Sequence, residues 1–176
     1  MTYTLLVVFA VLTIGVGYIM HQTSQPITST EVLTSQTQEV KNDIATSSIA
    51  WQTVYPVVTP MIIGSTAVQA SVAETWPDRI KGLSDTPYLP DEVVKFFVFD
   101  SLGFHSIWMK DMNYSIDIIW LDETGKIVHL VEGAAPESYP AMFVPEKEAK
   151  YVVETVSGFI QKNQITVDSS VTLPKF

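Results

Sequence analysis

Four short runs of β-branched and aromatic residues follow one another through the middle of the chain: FFVFD (Phe96–Asp100), IWMKDM (Ile107–Met112), SIDIIWLD (Ser115–Asp122) and KIVHLVE (Lys126–Glu132). Turn residues separate them. Side chains of this kind lose rotamer freedom in a helix but fit the pleated surface of a sheet, so each run is a predicted strand. Asp122-Glu123-Thr124-Gly125 joins the last two with glycine at its end. Ile116–Leu121 and Ile127–Val131 are therefore expected to pair antiparallel.

Helical signals are fewer. Glu74–Lys81 carries Pro77 in its first turns and Gly82 at its end, the usual placing of those residues around a short helix. Glu146–Gly158 has an approximate apolar stripe of Ala149, Val152, Val153 and Val156 and reads as a second helix, although the same stretch is compatible with a strand. Val57–Ile63, Ile165–Val167 and Ser170–Leu173 are short and β-like. The expected domain is mainly β (α+β), a compact small β-barrel or sandwich-like unit with one or two short helices, over residues 51–176.

The N-terminal part differs in composition. Tyr3–Met20 is an uncharged apolar run with Leu, Val, Ile and Phe on every face of a helical wheel. As a helix it would cover about 27 Å, close to the hydrocarbon thickness of a bilayer. It lacks the basic start and the small-residue cleavage site of a signal peptide, so residues 1–21 read as an uncleaved transmembrane signal anchor. Residues 22–50 are rich in Ser, Thr and Gln and read as a flexible linker. The first Lys or Arg is Lys41, which gives the positive-inside rule almost nothing to count. The linker favours a single-pass protein whose domain stands on the extracytoplasmic side, with the lipid bilayer as a partner of the N-terminal helix.

Charge and cysteine content narrow the chemistry. Ten Lys and Arg stand against 19 Asp and Glu, a formal net charge of −9, so the basic surface that neutralises phosphates is missing and nucleic acid is not an expected partner. With no cysteine, disulfides, thiol catalysis and thiolate metal sites are excluded. His21, His105 and His129 are isolated and lack ligand neighbours at helical spacing, so no metal site is expected. There is no G-x-S-x-G elbow, phosphate loop or dinucleotide fingerprint, and no cofactor is implied.

The densest polar group sits among the strands. Alternation along Ile107–Met112 places Trp108, Lys110 and Met112 on one face. In the next run Asp117 shares a face with Ile119 and Leu121, and Ile116, Ile118 and Trp120 line the other. A carboxylate between two apolar faces needs a partner, for which Lys110 or Arg79 is the natural candidate. One account is a structural ion pair. The other is a pocket in which Asp117 acts as base or anchor, Lys110 or Arg79 holds an anion and Trp108 offers a stacking face. Glu154, in YVVETVSGF, reads as a solvated or capped carboxylate on a mostly apolar segment.

The order of these segments resembles a known family. Arg79-Ile80-Lys81-Gly82-Leu83, FFVF, IWMKDM followed by SIDIIWLD, IVHLVEGAAP (Ile127–Pro136) and YVVETVSGF (Tyr151–Phe159) are similar to the family catalogued as domain of unknown function 192, over roughly the last two thirds of the chain. The resemblance implies a compact β-rich prokaryotic domain, often behind a signal peptide or anchor, with no settled activity. Its signature positions fall on Arg79, Gly82, Leu83, Trp108, Met109, Lys110, Asp117, Glu154 and Gly158. The chain departs from the usual pattern at Ser84 and Asp85, where a Met and a second basic residue are common, and at Ile107, Ser115 and Asp168-Ser169.

Taken together, the sequence leads to an uncharacterised membrane-tethered domain that binds a ligand or serves as an accessory module of the cell envelope. Arg79, Trp108, Lys110, Asp117 and Glu154 form the candidate pocket for a small anionic or sugar-like ligand. Two other readings stay open: a hydrolase with Asp117 or Glu154 as general base, and a structural domain acting through protein contacts. Whether the domain is an enzyme is left undecided.

Overall fold

The computed structural model describes residues 51–175. The proposed anchor and linker lie outside the described residues. Among the described ones no helix is long and apolar enough to cross a membrane.

In chain order the elements are β1 (Thr59–Ile63), β2 (Thr66–Ala73), α1 (Trp76–Lys81), β3 (Val93–Gly103), β4 (Ile107–Trp108), β5 (Ile116–Leu121), β6 (Ile127–Ala134), a 3-10 turn (Pro136–Ser138), β7 (Met142–Phe143), β8 (Ala149–Val156), α2 (Phe159–Lys162) and β9 (Val171–Thr172). Described residues form a seven-stranded sheet in the order β6-β5-β8-β3-β2-β1-β9, and β4 pairs with β7 in a separate ribbon. The hairpin expected around residues 122–125 joins β5 to β6 antiparallel. Asp122 fastens it, accepting from the amides of Thr124 (2.8 Å) and Lys126 (3.0 Å) and from the Thr124 hydroxyl (2.7 Å). β2 and β3 run parallel, with α1 in the crossover that parallel pairing requires.

The sheet curls into a half-barrel whose two edges meet at one point. Lys126, before β6, bridges Ser170, before β9, and the Val171 amide donates to the Gly125 carbonyl at 3.2 Å. Gly125 has φ +85°, and a Cβ there would stand 2.8 Å from the Val171 carbonyl oxygen, so the hairpin can approach β9 only as glycine.

Each face of the sheet carries a core. One draws on all seven strands, with Met61, Val68, Phe96, Ile119, Ile127, Val153 and Val171 among its members, and is closed by Phe159 and Ile160 of α2. Because it reaches both edges of the curled sheet, it fills the concave side. The other packs Phe97, Ile116, Ile118, Trp120 and Val152 under Trp51, Tyr55, Leu83, Leu89 and Ile107, which lie outside the seven-stranded sheet. β5 is buried on both faces, and its side chains divide between the two cores as alternation predicts.

Three expectations are corrected. Residues 149–156 form a strand, not a helix: β8 lies between β3 and β5, and its β-branched side chains fill both cores. The helical turn comes afterwards, at α2. The run Ile107–Met112 is strand only as far as Trp108, after which Asp111 at φ +55° turns the chain, so alternation does not govern Lys110 and Met112. Ile165–Val167 forms no strand; Ile165 is buried beside α2.

Candidate functional site

The site begins with how α1 starts and stops. Thr75 caps its N-terminus, its hydroxyl accepting from the Asp78 amide at 3.3 Å, and the chain leaves the helix at Gly82. This places Trp76, Arg79 and Ile80, with residues 81–84, above Phe97 and Phe99 of β3 and opposite the β4–β7 ribbon. Between them lies a cavity of about 270 Å³. Its walls are chiefly apolar (Trp76, Ile80, Leu83, Phe97, Phe99, Ile107, Trp108, Met112 and Met142), and its uncharged polar groups come from Ser84 and Ser106. Glu154 reaches it from β8.

Arg79, Trp108 and Glu154 are brought together on this cavity, whereas Lys110 and Asp117 are not among its lining residues. Arg79 is largely engaged by the protein. Its Nη1 donates to the carbonyls of Glu74 (2.5 Å) and Val98 (2.8 Å), its Nη2 lies 3.4 Å from Asp100, and the guanidinium covers the Phe99 ring at 5.5 Å. Lys110 sits in the turn after β4 with its side chain half exposed, 6.0 Å from the Trp108 ring centre and 3.9 Å from the Asp111 carboxylate.

Asp117 does not pair with Lys110 or Arg79. It is completely buried on the concave side, where one carboxylate oxygen accepts from the Gly133 amide (2.8 Å) and the other from the Ile160 amide (3.0 Å). Backbone donors thus supply the partner that its two apolar faces require, tying β5 to the end of β6 and the start of α2.

Glu154 is the reverse case. It is 5% exposed, and its Oε2 is buried with no hydrogen-bond partner, so the reading of a solvated or capped carboxylate is corrected. Burial pushes its carboxyl up to about 8, against a smaller opposing pull from Lys95. Lys95 stands directly opposite on β3 and donates to Ser71 Oγ at 3.3 Å; burial holds its amine below the ordinary lysine value, partly offset by Glu154. Tyr114, whose hydroxyl contacts Thr86 Oγ1 at 2.5 Å, is raised by burial and, to a lesser degree, by Glu154.

A pH dependence of stability follows. The folded protein holds the Glu154 proton more tightly than the unfolded chain does, so the stabilisation is complete below about 4.5 and is lost as pH rises to about 8. Glu154→Gln should flatten that part of the stability profile in urea unfolding followed from pH 4 to pH 9. Lys95, shifted down, gives the opposite slope at higher pH.

Ser71 and Lys95 escaped the sequence reading. The signal for Lys95 was present: in VVKFFVF it takes the period-two position between Val93 and Phe97, both buried. Its meeting with Glu154 depends on β8 being a strand in register with β3.

Comparison with known proteins agrees with this architecture. Residues 59–173 match the family described as DUF192, Uncharacterized ACR. A UPF0127 protein of Thermococcus sibiricus is 34% identical over 92 residues, which are 52% of this chain and 57% of that relative; the match thus spans little more than half of the relative's length. Two crystal structures share the fold at 19% identity. One, a candidate transcription regulator of Sinorhizobium meliloti 1021, has a TM-score of 0.60 over 65% of this chain and 91% of its own. The other, a protein of unknown function from Novosphingobium aromaticivorans DSM 12444, has a TM-score of 0.62 over 66% and 85%. With the matched residues running from β1 past β9 and taking in every residue of the cavity, the chain belongs to the DUF192 family.

Proposed function

We propose that the domain is a small-molecule-binding module, held near a membrane on the extracytoplasmic side by the apolar segment Tyr3–Met20. The observation that carries the binding reading is Glu154: a buried carboxyl oxygen without a partner, on a cavity walled by aromatic and aliphatic side chains. Buried polar atoms are almost always satisfied, and an apolar pocket with a few convergent polar groups is the common form of a small-ligand site. The volume suits a single ring better than an extended chain. The tether rests on the length and uniform hydrophobicity of the N-terminal run.

A hydrolase is favoured less. Of the two acids considered as general base, Asp117 is committed to two backbone amides on the other face, and Glu154 holds its proton at neutral pH. No second carboxylate lines the cavity among the described residues, so the acid and base pair of a typical glycosidase is missing from it.

The test is a screen of single-ring metabolites against the full-length chain, read by tryptophan fluorescence and by resonances of Trp76 and Trp108. Ligands should perturb both tryptophans, and Trp108→Ala should weaken them at least tenfold while leaving the melting temperature within a few degrees. Binding that is unchanged in Trp108→Ala, or a screen in which nothing perturbs either tryptophan, sinks the reading.

A further inference from the structure

The polar inventory of the cavity indicates what kind of ring it would accept. Each basic group on its lining already has an internal partner: Arg79 has two carbonyls and Asp100, and Lys81 lies 3.0 Å from Asp85. An anionic ligand would therefore enter a largely apolar space with no unengaged cation on its lining. It would also give up its water there for only the neutral Glu154 carboxyl and two serine oxygens. An uncharged ring meets neither obstacle. Its hydroxyls can exchange hydrogen bonds with the Glu154 carboxyl and donate to the oxygens of Ser84 and Ser106, whose own protons go to the Lys110 carbonyl (2.8 Å) and the Met142 sulfur (3.5 Å), and its carbon face can lie on Trp108.

Resting on the binding reading above, we infer that the cavity takes an uncharged, oxygen-bearing ring, a sugar or cyclic polyol, recognised through a hydrogen bond with the Glu154 carboxyl, and excludes the corresponding anions. The groups that face Glu154 are consistent with this. Lys95 on β3 is opposite, with its amine on Ser71; Ile118 on β5 is apolar; Tyr114 follows from the loop before β5; Arg79 and Lys81 line the same cavity from α1. None is within hydrogen-bonding distance of Glu154 Oε2.

The proton on Glu154 makes this readable. A ligand that needs the acid form binds in proportion to the fraction carrying it, which is nearly full at pH 6 and about a tenth one pH unit above the folded value of about 8.

The experiment uses the full-length chain with D-glucose, N-acetyl-D-glucosamine and myo-inositol, set against D-glucuronate and myo-inositol 1-phosphate. Affinity is measured from pH 6 to pH 9. Expected is binding of at least one uncharged ring, at least tenfold tighter than its anionic counterpart and about tenfold weaker at pH 9 than at pH 6. Glu154→Gln, which keeps the shape and a donor, should bind with a flat pH profile; Glu154→Ala, checked for an unchanged circular dichroism spectrum, should lose binding. The inference is overturned if the anions bind as well as the neutral rings, or if Glu154→Gln keeps the wild-type pH slope. It also falls if only aromatic compounds bind, and then the binding reading survives. If no compound in this set or in the wider screen binds, both fall.

Discussion

Asp117→Asn should lower the stability of the domain by about 3 kcal/mol, and Asp117→Ala by about 4 kcal/mol. The carboxylate accepts from two amides, Gly133 and Ile160, in a place water does not reach. Asparagine keeps one acceptor and turns an NH2 group toward the other amide, donor against donor; alanine leaves both amides without a partner. Urea unfolding checks this as a fall in midpoint at nearly constant slope. Lys110→Met is the counterpart. Were Asp117 served by that ammonium, the two substitutions would be about equally damaging, whereas Lys110 is half exposed and the Asp117 oxygens are taken by the two amides, so its removal should change stability by no more than about 0.5 kcal/mol.

Gly125→Val should be comparably severe, at about 3–4 kcal/mol, with Gly125→Ala at about 2–3 kcal/mol. Two effects add: φ of +85° disfavours any side chain, and the new Cβ collides with the Val171 carbonyl, which belongs to backbone and cannot rotate aside. Gly158→Ala separates them. That residue has φ +86° but open space around the added carbon, so it should show the conformational part alone, about 1 kcal/mol. Hydrogen exchange gives the second readout: in Gly125→Ala the Val171 amide, bonded to the Gly125 carbonyl, should lose protection while the amides at the centre of β5 keep theirs. Equal losses in the Gly125 and Gly158 alanine variants would show that the close approach of the edges contributes nothing.

How much of this could be read from the residues differs by element. The β5–β6 hairpin was legible because alternation, β-branching and the Asp-Glu-Thr-Gly connection all point the same way. Alternation also assigned the two faces of β5 correctly, and the demand that Asp117 find a partner was sound. The partner itself was not legible: backbone amides from residues 133 and 160 leave no mark in the sequence, whereas a lysine nearby in the chain draws attention. β8 was ambiguous for a different reason. A strand buried on both faces loses its period-two signal, and Ala149, Val152, Val153 and Val156 then mimic a helical stripe. β2 went unread because Ala, Gln and Ser dilute its β-branched residues. Lys110 falls outside the expected alternation because the strand ends at Trp108 and a turn with the left-handed Asp111 follows, which no pattern of polarity announces.

The position of β8 has a consequence for how the protein is made. β1, β2 and β3 are synthesised together and adjoin in the sheet, as do β5 and β6, yet the strand that joins these two groups is translated after both. At about 5–20 residues per second the nascent chain spends several seconds with the inner edges of β3 and β5 unpaired. Both edges are flanked by residues destined for the core, Phe96 and Phe97 on one side and Ile118 to Trp120 on the other, and open apolar edges invite pairing between chains. A chain stopped between residues 134 and 149 would therefore keep both inner edges open, a form prone to aggregate and suited to a holding chaperone.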